Sequence, residues 1–187
     1  MTLQITADKI VDTALHLAEA SSWERLRLFE IAEQLDIPIT KIHTYFREKD
    51  ELIDAFFDRA DKAMLKMSTQ PELLQLSGQE RLHQLLMRWF SLLQNHRKVT
   101  REMIWAKLEP GHLHIQFPAL MRISRTVQWW REAAQLSASH FRRALEETFL
   151  TAVYLMTFIH WLYDDSKEAI ATSHFLKKRL AQCCLCS

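Results

Sequence analysis

The sequence predicts an all-α fold, on three observations. Chain breakers are scarce, with only two Gly and four Pro among 187 residues. Hydrophobic residues make up 48% of the chain, enough for a sizeable core and against disorder. The apolar positions recur at the three- and four-residue spacing of amphipathic helices almost throughout, in a background rich in Leu, Ala, Glu and Arg. About nine helices follow, with no internal repeat and no low-complexity tract.

The first helix is expected from about Ala7 to Ala20, with Thr6 as N-cap and Ile10, Ala14, Leu17 and Ala18 facing inward. Ser21-Ser22 ends it, and Trp23 and Leu26 cover a small core. Leu28, Ile31, Ala32 and Leu35 share the next helical face. Asp36-Ile37-Pro38 then interrupts the pattern, and Pro38 suits the first position of a new helix. Ile39, Ile42, His43 and Phe46 resume the stripe. Two short helices across a turn of three or four residues make a helix-turn-helix. A longer helix opens near Asp50, where Asp50 and Glu51 suit the positive end of the dipole, and runs to about Ser68. Its inward residues are Ile53, Phe56, Phe57, Ala60 and Leu65.

Pro71 and Gly78 bracket a connection. Helical spacing returns from Gln79 to His96, through Leu82, Leu85, Leu86, Trp89, Phe90 and Leu93, and again from Thr100 to Glu109. Pro110-Gly111 breaks the chain, and Pro118 opens a helix to about Leu136. Ser137 or Ser139 caps a long helix to Tyr163. A turn at Asp164-Asp165-Ser166 leads to a last helix through Phe175 and Leu180.

Ile31-Ala32, then Tyr45-Phe46, then Lys49-Asp50-Glu51-Leu52 stand in one register, and this order resembles the DNA-binding end of the TetR family of transcriptional regulators. The likeness covers roughly residues 6–65. The chain departs from the family pattern at Asp36-Ile37-Pro38, usually Gly-Val-Ser, and at Thr40-Lys41, usually Gly-Thr. It departs again at His43, where the family has a phosphate-contacting Tyr. The resemblance implies a TetR-like architecture. Residues 1–50 form a three-helix helix-turn-helix head, and residues 51–187 form a ligand-binding and dimerisation body of about six helices. It further implies a DNA-binding regulator, most often a repressor, that is a homodimer through its last two long helices. A small apolar ligand releases it by shifting the spacing of the two heads away from half-sites about 34–36 Å apart.

The second helix of such a motif enters the major groove while flanking donors hold phosphates. Thr40, Lys41, His43 and Thr44 are the candidate contacts on that helix. Arg27, Tyr45 and Lys49 are the candidates for phosphate, Lys49 as a cation beside helix N–H groups. Solvated surface residues around a small core account for the same pattern. Charge weighs against DNA: residues 1–60 hold seven Lys or Arg and twelve Asp or Glu, a net −5, and the remainder is +6.

The body is rich in large adaptable side chains. Trp89, Met103, Trp105, Phe117, Met121, Trp130, Phe149 and Met156 are the candidate lining of an apolar, lipid-like ligand site, with an ordinary helical core as the plain alternative. Leu145, Phe149, Val153, Met156 and Ile159 make the long helix apolar on nearly all sides, so it is buried in the chain or in a partner copy. Phe141-Arg142-Arg143-Ala144-Leu145, Trp161 to Ser166 and Thr172 to Leu180 also resemble the C-terminal part of the TetR-fold coenzyme Q biosynthesis proteins. That second resemblance implies an alternative function, isoprenoid or quinone lipid binding without DNA.

Other chemistry has little support. The sequence contains no nucleophile elbow, phosphate loop or zinc-protease motif, so neither enzyme activity nor a cofactor is expected. His112 and His114 are a weak metal pair, and no metal is expected. Cys183, Cys184 and Cys186, crowded at the end, read as a tail in a reducing cytoplasm rather than a disulfide framework. The N-terminus does not resemble a signal peptide. The apolar run from Phe149 to Tyr163, broken by Thr151, Thr157 and His160, is too short to span a bilayer.

Overall fold

The computed structural model describes residues 5–108 and 113–182, with side chains for all of these except 108 and 113–120. All regular secondary structure among the described residues is helical, without strands. The helices are α1 (Ala7–Ala20), α2 (Leu28–Gln34), α3 (Ile39–His43), α4 (Lys49–Ser68), α5 (Pro71–Leu74), α6 (Gly78–Leu93), α7 (Arg97–Leu108), α8 (Leu113–Ala133), α9 (His140–Leu162) and α10 (Ile170–Ala181). Short 3-10 turns at Gln94–His96 and Lys167–Ala169 precede α7 and α10.

The chain folds as two compact units, Met1–Arg59 with His96–Glu109, and Ala60–Asn95 with Pro110–Ser187. A single cut after residue 50 is therefore not how the chain packs. The first half of α4 and the whole of α7 belong with the first three helices.

In the head unit, Thr6 caps α1 by accepting the Lys9 N–H at 3.2 Å. Ile10, Val11, Ala14, Leu15 and Ala18 form its buried face, and Leu17 is only half-buried. Glu30 accepts the Arg27 N–H at 2.8 Å and closes the start of α2. The turn between α2 and α3 carries Asp36 at φ 52°, a left-handed position that suits Gly best and that Asp tolerates. Ile31, Ala32, Ile42 and Phe46 then seal the motif onto Trp23, Leu26 and the inner face of α1.

The helix expected from Thr100 begins earlier, at Arg97, and packs along α1 with Val99 and Met103 buried. It also ties down the loop after α1, because Glu102 accepts the Trp23 N–H at 2.7 Å. The predicted role of Met103 in lining a body pocket is thereby corrected. Met103 is core of the head unit, placed there by the side of α7 that faces α1.

In the body unit, Ser77 caps α6 and exchanges hydrogen bonds with Glu80. Met64, rather than the half-buried Leu65, is the buried side chain of that turn of α4. The helix expected to open at Pro118 begins at Leu113, so Pro118 lies within its second turn. A Pro there forfeits one hydrogen bond near the helix start without ending the helix. Buried Arg131 ties the end of α8 to the start of α9, with Nε 3.3 Å from Glu146 and Nη2 2.8 Å from the Ala138 carbonyl. Trp89, Phe90, Tyr154, Phe158 and Trp161 form one aromatic cluster between α6 and α9, with Phe90 and Trp161 stacked at 5.3 Å. No described helix is long and apolar enough to cross a membrane.

Candidate nucleic-acid interface

The face of α3 follows from a single anchor. Ile42 is buried and Phe46 closes the core just beyond the helix. At about 100° per residue this turns Thr40 and Thr44 directly outward. His43 and Ile39 flank them on one side, and Lys41 flanks them on the other. All five are exposed. The expected stripe of Ile39, Ile42, His43 and Phe46 is thus half right. Ile42 and Phe46 are core, while Ile39 is 52% exposed and His43 points to solvent. A helix of five residues is less than two turns long, so one inward residue is all the core it can supply.

The exposed side chains from Ile39 to Thr44 include no carboxylate. Several of the head's acidic groups are drawn into pairs elsewhere, while Glu33, Asp36 and Glu48, exposed on either side of α3 in the sequence, are not among those pairs. Arg59 reaches Asp8 at 2.9 Å and Asp12 at 2.5 Å. Lys107 lies 3.8 Å from Asp50 and 3.7 Å from Asp54. His96 meets Glu19, and Glu51 accepts the Arg47 N–H at 2.6 Å. Counting α7, the unit holds eleven Lys or Arg against fourteen Asp or Glu, a net −3 in place of −5.

The remaining candidate DNA contacts, Lys41 and Thr44 on α3 and Arg27, Tyr45 and Lys49 for phosphate, are placed unequally. Lys41 is exposed, with its ammonium 5.6 Å from the centre of the Tyr45 ring. Tyr45 donates its hydroxyl to the Ile5 carbonyl at 2.7 Å, fastening the end of the motif to the start of α1. Arg27 is exposed and donates to the Glu24 carbonyl at 2.7 Å. The Thr44 hydroxyl bonds back to the Lys41 carbonyl at 2.7 Å. Lys49 differs from expectation. Its ammonium donates to the carbonyls of Trp23 and Glu24 and lies 5.0 Å from the Trp23 ring centre. Burial lowers its pKa first, and Arg27 lowers it further. It acts as a clamp on the loop after α1 rather than as a free anion contact. Sequence spacing does not show this, because Trp23 is 26 residues away.

The candidate ligand residues do not converge. Trp89 and Trp130 have no accessible surface and so line no cavity, and their indoles donate to Asp61 at 2.7 Å and to the Leu82 carbonyl at 2.9 Å. Trp105 is 58% exposed on α7 of the head unit. Met121 and Met156 are exposed on α8 and α9, and Phe149 is half-buried. The side chain of Phe117 lies outside the described residues, as do Pro110-Gly111, His112 and the three Cys. Among the described residues, no cluster of His, Cys, Asp or Glu is arranged to hold a metal.

A helix-turn-helix head and an all-helical body define a class, the two-unit helical regulators, and the comparisons agree with it. The chain is 54% identical to the TetR transcriptional regulator from Nitrosomonas europaea ATCC 19718, over 94% of this chain and 95% of that one, with a TM-score of 0.84. It belongs to the TetR family of transcriptional regulators. It is also 32% identical over 104 residues to the Probable HTH-type transcriptional regulator YttP of Bacillus subtilis (strain 168). That match spans 51% of this chain and about half (47%) of the relative. The fold is shared with the transcriptional regulator FadR from Bacillus subtilis, solved in complex with stearoyl-CoA. FadR is 16% identical, with a TM-score of 0.61, over 95% of this chain and 98% of that one. The family model for COQ9 matches residues 142–185, in line with the second resemblance of the C-terminal helices.

Proposed function

We propose that this regulator is a DNA-binding repressor that acts as a homodimer in the cytoplasm and is released by a small apolar ligand. One observation carries the reading. The outward face of α3 offers Thr40, Lys41, His43 and Thr44 without a carboxylate, while the carboxylates of α1 and α4 are paired away from it. Local charge at the groove then decides affinity more than the net charge of the head. The mode is major-groove reading by α3, with Lys41 and Arg27 on phosphates.

The exposed stripe of α9 supports the dimer. Phe141, Leu145, Thr148, Ala152, Met156, Ile159 and Tyr163 recur at three- and four-residue spacing, opposite the buried face of Leu150, Val153, Tyr154, Phe158 and Trp161. Apolar side chains in such a row are the signature of a helix packed on a second copy. The aromatic cluster of the body supports an apolar ligand, whose binding would part rings that are closed on one another here. The stearoyl-CoA held by FadR has the matching chemistry of a long acyl chain.

The test is binding of the purified protein to its own upstream DNA and to a scrambled duplex, across a series of salt concentrations. Specific binding that weakens steeply with salt is the expected result. No binding at low salt would retire the DNA reading. The match of residues 142–185 to COQ9 favours the second reading, a lipid-binding protein, and extraction of a bound isoprenoid would then be its test.

A further inference from the structure

The apolar residue at the opening of α3 is unexplained by packing. Ile39 belongs by spacing to the same stripe as Ile42, yet it is 52% exposed while Ile42 is 1% exposed. It is flanked by the exposed Pro38 and Thr40, and by His43 one turn on. Single exposed apolar side chains are ordinary on a protein surface, so exposure alone assigns Ile39 no partner, and its place on the outward flank of α3 is what bears on one. The residues around it bear on what that partner is. Neighbouring Thr40, Lys41 and His43 supply hydrogen-bond donors and a cation, so from Ile39 to Thr44 the exposed side chains are polar apart from Ile39, and the part-exposed Tyr45 ring follows. An apolar protein groove demands several such spots. A DNA major groove has one kind only, the thymine C5-methyl group, set among polar base edges.

We propose that Ile39 is a specificity residue that packs on a thymine methyl in each half-site, which makes the operator thymine-dependent at that base pair. This rests on the DNA reading of the same α3 face. Residues in the first turn of a recognition helix are the ones that approach base edges. Ile39 lies about 40° from His43 around α3. The two therefore read neighbouring base pairs on one flank of the helix, and Lys41 faces the other flank.

The experiment begins with duplexes selected from a random pool by the purified full chain. Each thymine is then replaced singly by 2′-deoxyuridine, which removes the methyl group and keeps the base pair and its groove hydrogen bonds. The wild type is expected to lose about three- to fivefold in affinity at one thymine per half-site, the value of one methyl group buried. Ile39→Ala binds the thymine and uracil duplexes equally, and Ile39→Val keeps part of the difference. Because Ile39 is exposed, these variants keep the fold, and unchanged circular dichroism checks it. Equal wild-type binding to every uracil duplex, or a uracil penalty that persists in Ile39→Ala, overturns the inference while leaving the regulator DNA-binding. Failure to select any duplex removes the DNA reading itself, and this inference with it.

Discussion

The indole N–H of Trp89 on α6 donates to the carboxylate of Asp61 on α4 at 2.7 Å, and both side chains are buried. The same carboxylate accepts the Thr126 hydroxyl at 3.2 Å and lies 3.5 Å from the Arg122 guanidinium. Three elements of the body, α4, α6 and α8, thus meet at one acidic group. Tyr154 stands edge-on to Trp89 at 5.6 Å, and its hydroxyl is pushed well above the usual phenol range by burial and by the Asp61 charge.

Removing Asp61 takes a buried carboxylate from beside the Arg122 guanidinium and the acceptor from the buried Trp89 indole N–H. Asp61→Ala is expected to destabilise the body by about 3 kcal/mol or more. Asp61→Asn, which keeps an acceptor for Trp89 but loses the charge facing Arg122, should cost less. Urea unfolding followed by Trp fluorescence measures both, and equal stability of Asp61→Ala and wild type would show that this hub does not hold the core.

Lys41 and Lys49 separate a DNA contact from a structural clamp. Lys41→Ala should weaken DNA binding on every sequence and lower the salt slope by about one. Lys49→Ala removes the clamp on the Trp23 and Glu24 carbonyls, so its effect is expected in thermal stability, with the salt slope unchanged. A salt slope that falls by one in Lys49→Ala would return that ammonium to the phosphates.

Ile159 is 58% exposed near the C-terminal end of the α9 stripe. Ile159→Glu places a charge there and is expected to weaken self-association by about thirtyfold or more, the loss of a well-packed apolar interface residue. Sedimentation velocity over a concentration series reads it. A dimer that persists unchanged would move the interface off this face of α9.

Acid sensitivity has a site in Asp164. Burial opposes its ionisation, but hydrogen bonds from the backbone N–H groups and hydroxyls of Ser166 and Thr172 outweigh burial and bring its pKa to about 2. The folded value lies below the ordinary 3.8, so the ionised group stabilises the fold above pH 3.8 and loses that contribution as pH falls towards 2. The Thr172 N–H, 2.7 Å from the carboxylate, lies in the first turn of α10, so the carboxylate closes that helix start. Asp164→Asn should therefore be less stable than wild type by about 2 kcal/mol at pH 6. The gap is expected to close between pH 4 and pH 2. A gap independent of pH would assign the loss to packing.

The helix pattern was legible wherever one chain segment decides its own fate. Thr6 marks the start of α1 by side-chain chemistry that needs no distant partner, and α1 begins where it says, while periodicity put the start of α6 at Gln79, one residue after the Gly78 start that Ser77 caps. The Ile31-Ala32, Tyr45-Phe46 and Lys49-Asp50 register located the head for the same reason, since a tight turn constrains its residues locally. Roles that depend on what lies opposite were not legible. Met103 and Trp105 look like members of the body's aromatic group, and α7 carries one into the head core and leaves the other in solvent. Met121 and Met156 read as pocket lining and Ile159 as buried in the chain or in a partner copy, and all three stand on exposed faces of α8 and α9.

From its residue order alone, this chain specifies an all-helical fold and a helix-turn-helix in the head, because periodicity and tight turns act over a few residues. Tertiary structure decided which carboxylates of an acidic head are paired by Arg59 and Lys107, that Lys49 is spent on carbonyls, and that Ile39 stands clear of the core. Those outcomes depend on groups tens of residues apart meeting at 2.5–4 Å, where Coulomb attraction and desolvation act, and the spacing of a sequence carries no record of such distances.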